Sequence, residues 1–250
     1  MYFYIFDKNS HSLKLIIDIG NTTTKLALFD GKELNKHKVV DSLTLKNVQQ
    51  FILLNKVSSA ILSSVKNISK EFYEVINEFN TMVLSENTSL PIENNYATPS
   101  SLGKDRLAAV VGASFLYPNN DILVFDAGTC LTVDFINSSK EYIGGRISPG
   151  IEMRYKSLHT FTDKLPLIKS EKNTLVIGND TKTSIISGVQ QGILAEVKTI
   201  ISEYKSKNID TVFVFTGGDS FYFEKELKNS IFANPNLVLI GLNEILDYNE

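Results

Sequence analysis

The stretch Leu13-Lys14-Leu15-Ile16-Ile17-Asp18-Ile19-Gly20-Asn21-Thr22-Thr23-Thr24-Lys25-Leu26-Ala27-Leu28-Phe29 decides how this chain is read. An apolar run ends in Asp18, turns through Gly20-Asn21-Thr22 and resumes as a second run from Thr24 to Phe29. Short apolar runs bounded by turn residues read as strands, and Asp30-Gly31 adds a hairpin signal. The second half repeats the pattern. Asp121 to Asp126 is an apolar run ending in an acid, Gly128-Thr129 is the turn, and Leu131 to Ile136 alternates as the next strand. A third strand fits each half, around Glu33 to Val40 and around Glu141 to Ile147. Three consecutive strands imply antiparallel hairpins, and the helix–strand alternation that follows implies parallel β-α-β units. The expected fold class is therefore α/β, with two duplicated domains (1–117 and 118–250), each built on a mixed sheet, and an interdomain cleft.

The remaining elements follow from periodicity. Helices are expected over Leu43–Leu54, Ser69–Phe79, Asp105–Leu116, after Pro149-Gly150, and over Thr181–Tyr204, whose Ile186, Val189, Ile193, Val197 and Ile200 share one face. Strands are expected at Ser59–Ser63, Thr81–Leu84, Thr211–Phe215 and, last, Leu237–Ile240, before a short terminal helix. The polar stretch from Ser85 to Ser101 is long for a plain connector, which points to function.

Composition excludes several classes. A formal net charge of -3, with no basic stripe, argues against a grip on nucleic acid. No apolar run approaches the roughly 20 residues of a membrane helix, and the start Met1–Asp7 lacks the pattern of a signal peptide. Cys130 is the lone cysteine, so no disulfide forms within the chain and a cytoplasmic setting is expected. It reads as an inert thiol. His11, His37 and His159 have no zinc-site spacing. Lysine supplies nearly all the basic residues, and only Arg106, Arg146 and Arg154 are arginine. A guanidinium offers a bidentate fork that lysine cannot copy, which singles these positions out.

The two Asp-x-Gly turns carry the chemistry. Glycine lets backbone approach a ligand, and turn amides with a threonine hydroxyl can donate to phosphate oxygens. The Asp would repel phosphate unless a cation, Mg²⁺ or a monovalent ion, lies between them. One such run reads more readily as an ordinary hairpin with an Asx turn; two copies at equivalent places reverse that preference and favour phosphate turns on both sides of a cleft. Gly103-Lys104-Asp105 lacks the frame of a Walker loop, and no Gly-x-Gly-x-x-Gly follows a strand. Asp105 begins a helix and reads either as a first-turn acid or as a general base, with Arg106 holding an anionic group of the same substrate. Thr216-Gly217-Gly218-Asp219 reads as a plain turn or as a ledge under adenosine, and Gly188 and Gly192 as a helix contact, a dimer contact or surface glycines.

Taken in order, Asp18-Ile19-Gly20-Asn21-Thr22, Tyr96-Ala97-Thr98-Pro99, Gly103-Lys104-Asp105-Arg106, Asp126-Ala127-Gly128-Thr129, Gly145-Arg146-Ile147-Ser148-Pro149-Gly150 and Thr216-Gly217-Gly218-Asp219 resemble the type III pantothenate kinases of the actin-like ATPase superfamily. The resemblance implies two actin-like, ribonuclease H-like domains and ATP-dependent phosphorylation of pantothenate to 4'-phosphopantothenate, the first step toward coenzyme A. It implies ATP binding by Asp18, Ile19, Gly20, Asn21, Thr22, Thr23, Thr24 and Lys25, with Thr129 facing them, and Mg²⁺ as the companion ion. It also implies a monovalent cation, K⁺ or NH₄⁺, at Asp126, and Asp105 as proton acceptor. Tyr96, Gly103, Lys104, Asp105, Arg106 and Thr181 would bind pantothenate, Arg106 through its carboxylate, in a homodimer with no nucleic-acid or membrane partner. Lys104 stands where the family often has an aliphatic residue, Asp180-Thr181 replaces the usual Asn-Thr, and residues 1 to about 12 precede the usual start and read as an added strand or as a misassigned start codon. Other readings are an actin-like kinase of another small hydroxy acid or sugar, and a non-catalytic nucleotide-binding regulator.

Overall fold

The computed structural model describes residues 13–53, 55–67, 70–171, 174–207, 210–228 and 231–250, so the strand suggested for residues 1–12 lies outside the described residues. The first half runs β1 (Leu13–Ile19), β2 (Thr24–Asp30), β3 (Glu33–Val40), α1 (Leu45–Ile52), β4 (Val57–Ser64), α2 (Lys70–Phe79), β5 (Met82–Val83), β6 (Glu93–Asn94) and α3 (Lys104–Leu116). The second runs β7 (Ile122–Ala127), β8 (Cys130–Ile136), β9 (Glu141–Pro149), α4 (Ile151–Thr160), α5 (Thr181–Lys207), β10 (Val212–Thr216), α6 (Ser220–Leu227), β11 (Phe232–Ala233) and α7 (Leu237–Asn249). No helix among the described residues is long and apolar enough to cross a membrane.

The expected duplication is present in the sheets. One has the order β3-β2-β1-β4-β5 and the other β11-β10-β7-β8-β9-β6. In each, the first three strands pair antiparallel and the later ones join in parallel. The second sheet gains one strand from the polar stretch: β6 pairs in parallel with the edge of β9 through Glu93↔Glu141 and Asn94↔Tyr142.

Strand alternation divides the apolar side chains into three cores. Leu13, Leu15, Ile17 and Ile19 face α1 and α2 with Val48, Phe51 and Val75. Leu123, Phe125, Leu131 and Val133 face α4, α5 and α6 with Tyr155, Val189, Ile193 and Phe223. The opposite faces of both sheets, including Ile16, Ala27, Phe29, Val124 and Val214, share a central core with α3 and α7. That central layer joins the two halves, and any polar side chain on an even position of β1 or β7 points into it.

Leu237–Ile240 does not form the expected strand. It is the first turn of α7, and the short edge strand is Phe232–Ala233 instead. A fully apolar run satisfies a buried strand and a helix buried on most sides equally well, and α7 is buried through Leu237, Val238, Leu239, Leu242, Ile245 and Leu246. It crosses α3 at very close range. A Cβ on Gly112 would strike the Leu237 carbonyl, and one on Gly241 would fall on the Ala108 carbonyl. Further along, α7 is fastened to the first hairpin: Lys14 pairs with Asp247, Lys32 meets Glu244 (2.6 Å) and Asp247 (2.8 Å), and Asn243 Nδ2 donates to the Gly31 carbonyl (3.1 Å).

Because the obstruction at Gly241 is backbone rather than a movable side chain, Gly241→Ala is expected to destabilise the protein by at least about 2 kcal/mol. A urea titration checks this through a lowered midpoint at an unchanged m-value.

Candidate functional site

Two rows of side chains face the central layer at the carboxyl ends of the first strands. Cross-strand partners project to the same face. In the first sheet, Asp18 lies between Lys25 on β2 and Ser63 on β4. In the second, Asp126 lies between Thr132 on β8 and Thr216 on β10. The rows occupy equivalent places in the duplicated sheets. They differ in one respect: the first contains its own cation, Lys25, and the second has a threonine there. Four polar atoms in these rows, besides Asp18 Oδ1, matter most: Ser63 Oγ, Thr132 Oγ1 and Thr216 Oγ1 are buried with no hydrogen-bond partner among the described residues, and Lys25 Nζ reaches across to the Pro235 carbonyl (3.4 Å).

The turns above these rows meet. Thr22 and Thr129, 107 positions apart in sequence, bring their hydroxyl oxygens to 3.2 Å. The first turn spans four residues and is closed by the Gly20 amide on the Thr23 carbonyl (3.0 Å), leaving Asn21 and Thr22 exposed. The second is tighter, with the Gly128 amide donating to the Cys130 carbonyl (2.9 Å). Glycine is required around it. A Cβ on Gly150 would strike the carbonyls of Gly128 and Thr129 (2.6 Å for the latter), and one on Gly217, at φ +88°, would strike Asp126 Oδ1. The Thr216–Asp219 turn is thereby packed directly beneath the Asp126 loop, with the Asp219 amide donating to the Ala127 carbonyl (2.8 Å).

The carboxylates sense one another. Burial pushes Asp18 up to about 7, with Lys25 opposing and the charges of Asp105 and Asp126 adding to the rise. Burial likewise raises Asp126 to about 6, with Asp105 adding and Lys25 opposing. Asp105, in the first turn of α3, is also raised, chiefly by burial; its Oδ1 accepts the Arg106 amide (2.8 Å), which works the other way. Three acids from three elements thus face one space, and Lys25 opposes the rise of two of them, Asp18 and Asp126. Among the described residues, no three acidic, histidine or cysteine side chains close up into a metal cage.

Arg106 is buried and already paired. Its Nε donates to both oxygens of Asp134 (3.1 Å each) and its Nη2 to Oδ1 (2.6 Å). The Tyr142 hydroxyl donates to the same oxygen (2.6 Å). Burial pulls against the guanidinium charge, yet the hydrogen bonds and charge of Asp134 carry its pKa upward. Tyr96 stacks on Tyr142 with ring centroids 6.0 Å apart, and the guanidinium carbon lies 5.6 Å from the Tyr96 centroid. Sequence reasoning passed over Asp134 and Tyr142. The available signal was an acid at an inward position of an alternating strand, which requires a buried cation in a chain with very few arginines.

Other singled-out residues lie elsewhere. Thr181 begins α5 and lines an open concavity of ≈ 710 Å³ with Leu158, Leu165, Asp180 and Ile185, to which none of Tyr96, Asp105 and Arg106 contributes. Asp180 serves there as a cap, its Oδ1 accepting the Thr183 amide (2.7 Å), so Asp does the structural work expected of Asn. Gly188 and Gly192 are exposed, and a Cβ on either meets nothing within 4 Å among the described residues, so neither makes a helix contact with them. Arg154 braces the Gly150 turn, donating to the Pro149 carbonyl (2.8 Å) and pairing with Glu196, while Arg146 reaches Glu203 at 3.5 Å on the surface.

The family profile described as type III pantothenate kinase matches residues 14–203. The chain belongs to that family. It is 42% identical over 243 residues to the type III pantothenate kinase of Christiangramia forsetii, covering 95% of this chain and 99% of the relative, and 43% identical over 239 residues to that of Bacteroides fragilis, covering 95% and 98%. Among solved structures, a Campylobacter jejuni protein described as a Baf family transcriptional activator superposes with TM-score 0.63 at 22% identity, covering 94% of this chain and 98% of that one. A Listeria monocytogenes protein described as an N-acetylmannosamine kinase superposes with TM-score 0.53 at 13% identity, covering 95% and 100%. These likenesses concern the fold, which for this pantothenate kinase family member is the duplicated actin-like one with two mixed sheets.

The raised carboxylates have a consequence for stability. With folded values above the unfolded value near 3.8, the native state holds protons that the unfolded chain has released, so ligand-free stability falls as pH rises from about 4 through about 7. Asp18→Asn is expected to exceed the wild type by roughly 2–4 kcal/mol at pH 8. The gap should close toward pH 4, as measured by denaturant unfolding across that range.

Proposed function

We propose that the protein phosphorylates pantothenate with ATP to give 4'-phosphopantothenate, opening coenzyme A biosynthesis. Beyond family membership, the observation that carries this reading is the meeting of Thr22 and Thr129 above the buried Asp18 and Asp126, with Asp105 facing the same space. In this assignment the segment Asp18 to Lys25 cradles the ATP phosphates, Thr129 donates from the other side, and Lys25 supplies positive charge. The pantothenate hydroxyl gives its proton to Asp105 as its oxygen attacks the γ-phosphorus and ADP departs. A carboxylate raised by burial is a better base than an ordinary one. Tyr96, Gly103, Lys104 and Arg106 hold the rest of the substrate, Arg106 through the substrate carboxylate.

ATP would enter with Mg²⁺. A monovalent cation, K⁺ or NH₄⁺, fits at Asp126, where a buried carboxylate stands beside the unpartnered hydroxyls of Thr132 and Thr216, an all-oxygen set suited to a hard cation. Such an ion offsets the charge between Asp126 and phosphate. Residues 1–117 and 118–250 are assigned as the two domains, each lending an element to the other: β6 to the second sheet and α7 to the first hairpin. A homodimer is assigned on the exposed glycine face of α5, which would bring Thr181 toward the partner's substrate. The enzyme is placed in the cytoplasm, with no nucleic-acid or membrane partner.

Pantothenate-stimulated ADP release in the presence of Mg²⁺ and K⁺ is the test, and its absence rules the reading out. Asp105→Asn is expected to lower kcat by roughly 10²–10⁴-fold while leaving nucleotide affinity intact. A variant with unimpaired kcat would remove Asp105 from the role of base. Replacing Na⁺ by K⁺ is expected to raise the melting temperature of the wild type and leave that of Asp126→Asn unmoved.

A further inference from the structure

Asp134 is 1% exposed on the central face of β8, opposite Gly145 in the β8–β9 register. Its carboxylate receives three donors, Nε and Nη2 of Arg106 and the Tyr142 hydroxyl. The surroundings are built for this. A Cβ on Gly145 would collide with Asp134 Oδ1 and crowd Arg106 Nη2 at 2.8 Å, so the pair exists only because that strand position carries no side chain. Tyr142 reaches Asp134 through its hydroxyl and Tyr96 through its ring, and Tyr96 lies against the guanidinium, so the four residues form a closed ring of contacts.

The location is a poor one for a stabilising ion pair. Arg106 lies in the first turn of α3, the positive end of the helix dipole, where a cation is disfavoured. A buried pair adds little stability over well-packed apolar residues. A guanidinium held next to Asp105, with Nε and Nη2 fixed on Asp134, the Tyr96 side chain as a further hydrogen-bond partner and no carboxylate on Nη1 among the described residues, is instead suited to orient donors. Asp134 also offsets its charge, so what Arg106 offers a ligand is direction rather than bare attraction.

We propose that Asp134, braced by Tyr142, is a positioning residue that sets the preference for a carboxylate-bearing substrate by locking Arg106 through Nε and Nη2 and leaving Nη1 for the substrate carboxylate. This rests on the assignment of pantothenate to the Arg106 segment. Neither residue touches the substrate in this arrangement, and both act through Arg106.

The test compares pantothenate with pantothenol, its neutral analogue with an alcohol in place of the carboxylate, in the full-length protein. Asp134→Asn keeps the side-chain volume and an acceptor oxygen. It is expected to raise KM for pantothenate roughly 10–100-fold with kcat within about threefold, as for loss of a binding contact to a charged group. Kinetics with pantothenol and the affinity for ATP should stay within about threefold. Tyr142→Phe, which keeps the ring stack, is expected to shift in the same direction by roughly 3–10-fold. An equal loss on both substrates, or an undiminished preference for the carboxylate, overturns the proposal. If Asp134→Asn does not fold, Tyr142→Phe decides by the same criterion. Wild-type turnover is measured first: none with pantothenate overturns the functional reading itself, whereas turnover with unchanged selectivity in the variants overturns the positioning role alone.

Discussion

Two carboxylates, Asp18 and Asp126, are buried facing one layer shared by both halves of the molecule, and neither has enough countercharge there. Burying a carboxylate without a partner is costly, and the cost appears as raised pKa values. The duplicated sheets bring the difficulty about twice and meet it differently. Lys25 stands beside Asp18 in the first row. In the second, the equivalent place holds the uncharged Thr132, and Asp126 is opposed only across the layer by the charge of Lys25 among the described residues. Turns that share the Asp-x-Gly start stand in different electrostatic surroundings because of one residue on the neighbouring strand.

Everything around the acids is arranged by the central layer. Helices α3 and α7 cross at glycines, so close that carbonyl oxygens occupy the space where Cβ atoms would be. That crossing fixes the direction of α3, whose first turn delivers Asp105 toward the two rows and Arg106 toward Asp134. A position on a helix end and a position on a strand are thus held in register by backbone contact, which yields less than side-chain packing does. Glycines at 145, 150 and 217 continue the same principle around the second turn, each placed where a side chain would collide with backbone or with an acid.

Much of this was legible in the sequence because it is local. An acid closing an apolar strand, a glycine turn and a threonine make a signature within a few residues, and its recurrence pointed to the duplication and the mixed sheets that the structure displays. What was not legible depends on partners remote in sequence. Leu237–Ile240 reads as a strand by composition, and only its burial between two sheets makes it a helix. The pairing of Glu93–Asn94 with β9 is hidden because two residues in a polar segment carry no period. Asp134 is visible as an acid within a strand, but its partner lies 28 positions earlier on a helix end, which no local pattern links to it.

The final helix also bears on the order in which the molecule can be completed. The hairpin of β1 and β2 is made well before α7, yet Lys14 finds Asp247 only 233 positions later and Lys32 finds Glu244 only 212 positions later. The central apolar face of the first sheet is only partly covered, by α3, until α7 is made. Nascent chains therefore carry a half-finished layer that a chaperone could cover, and truncation near the carboxyl terminus would injure the amino-terminal half first.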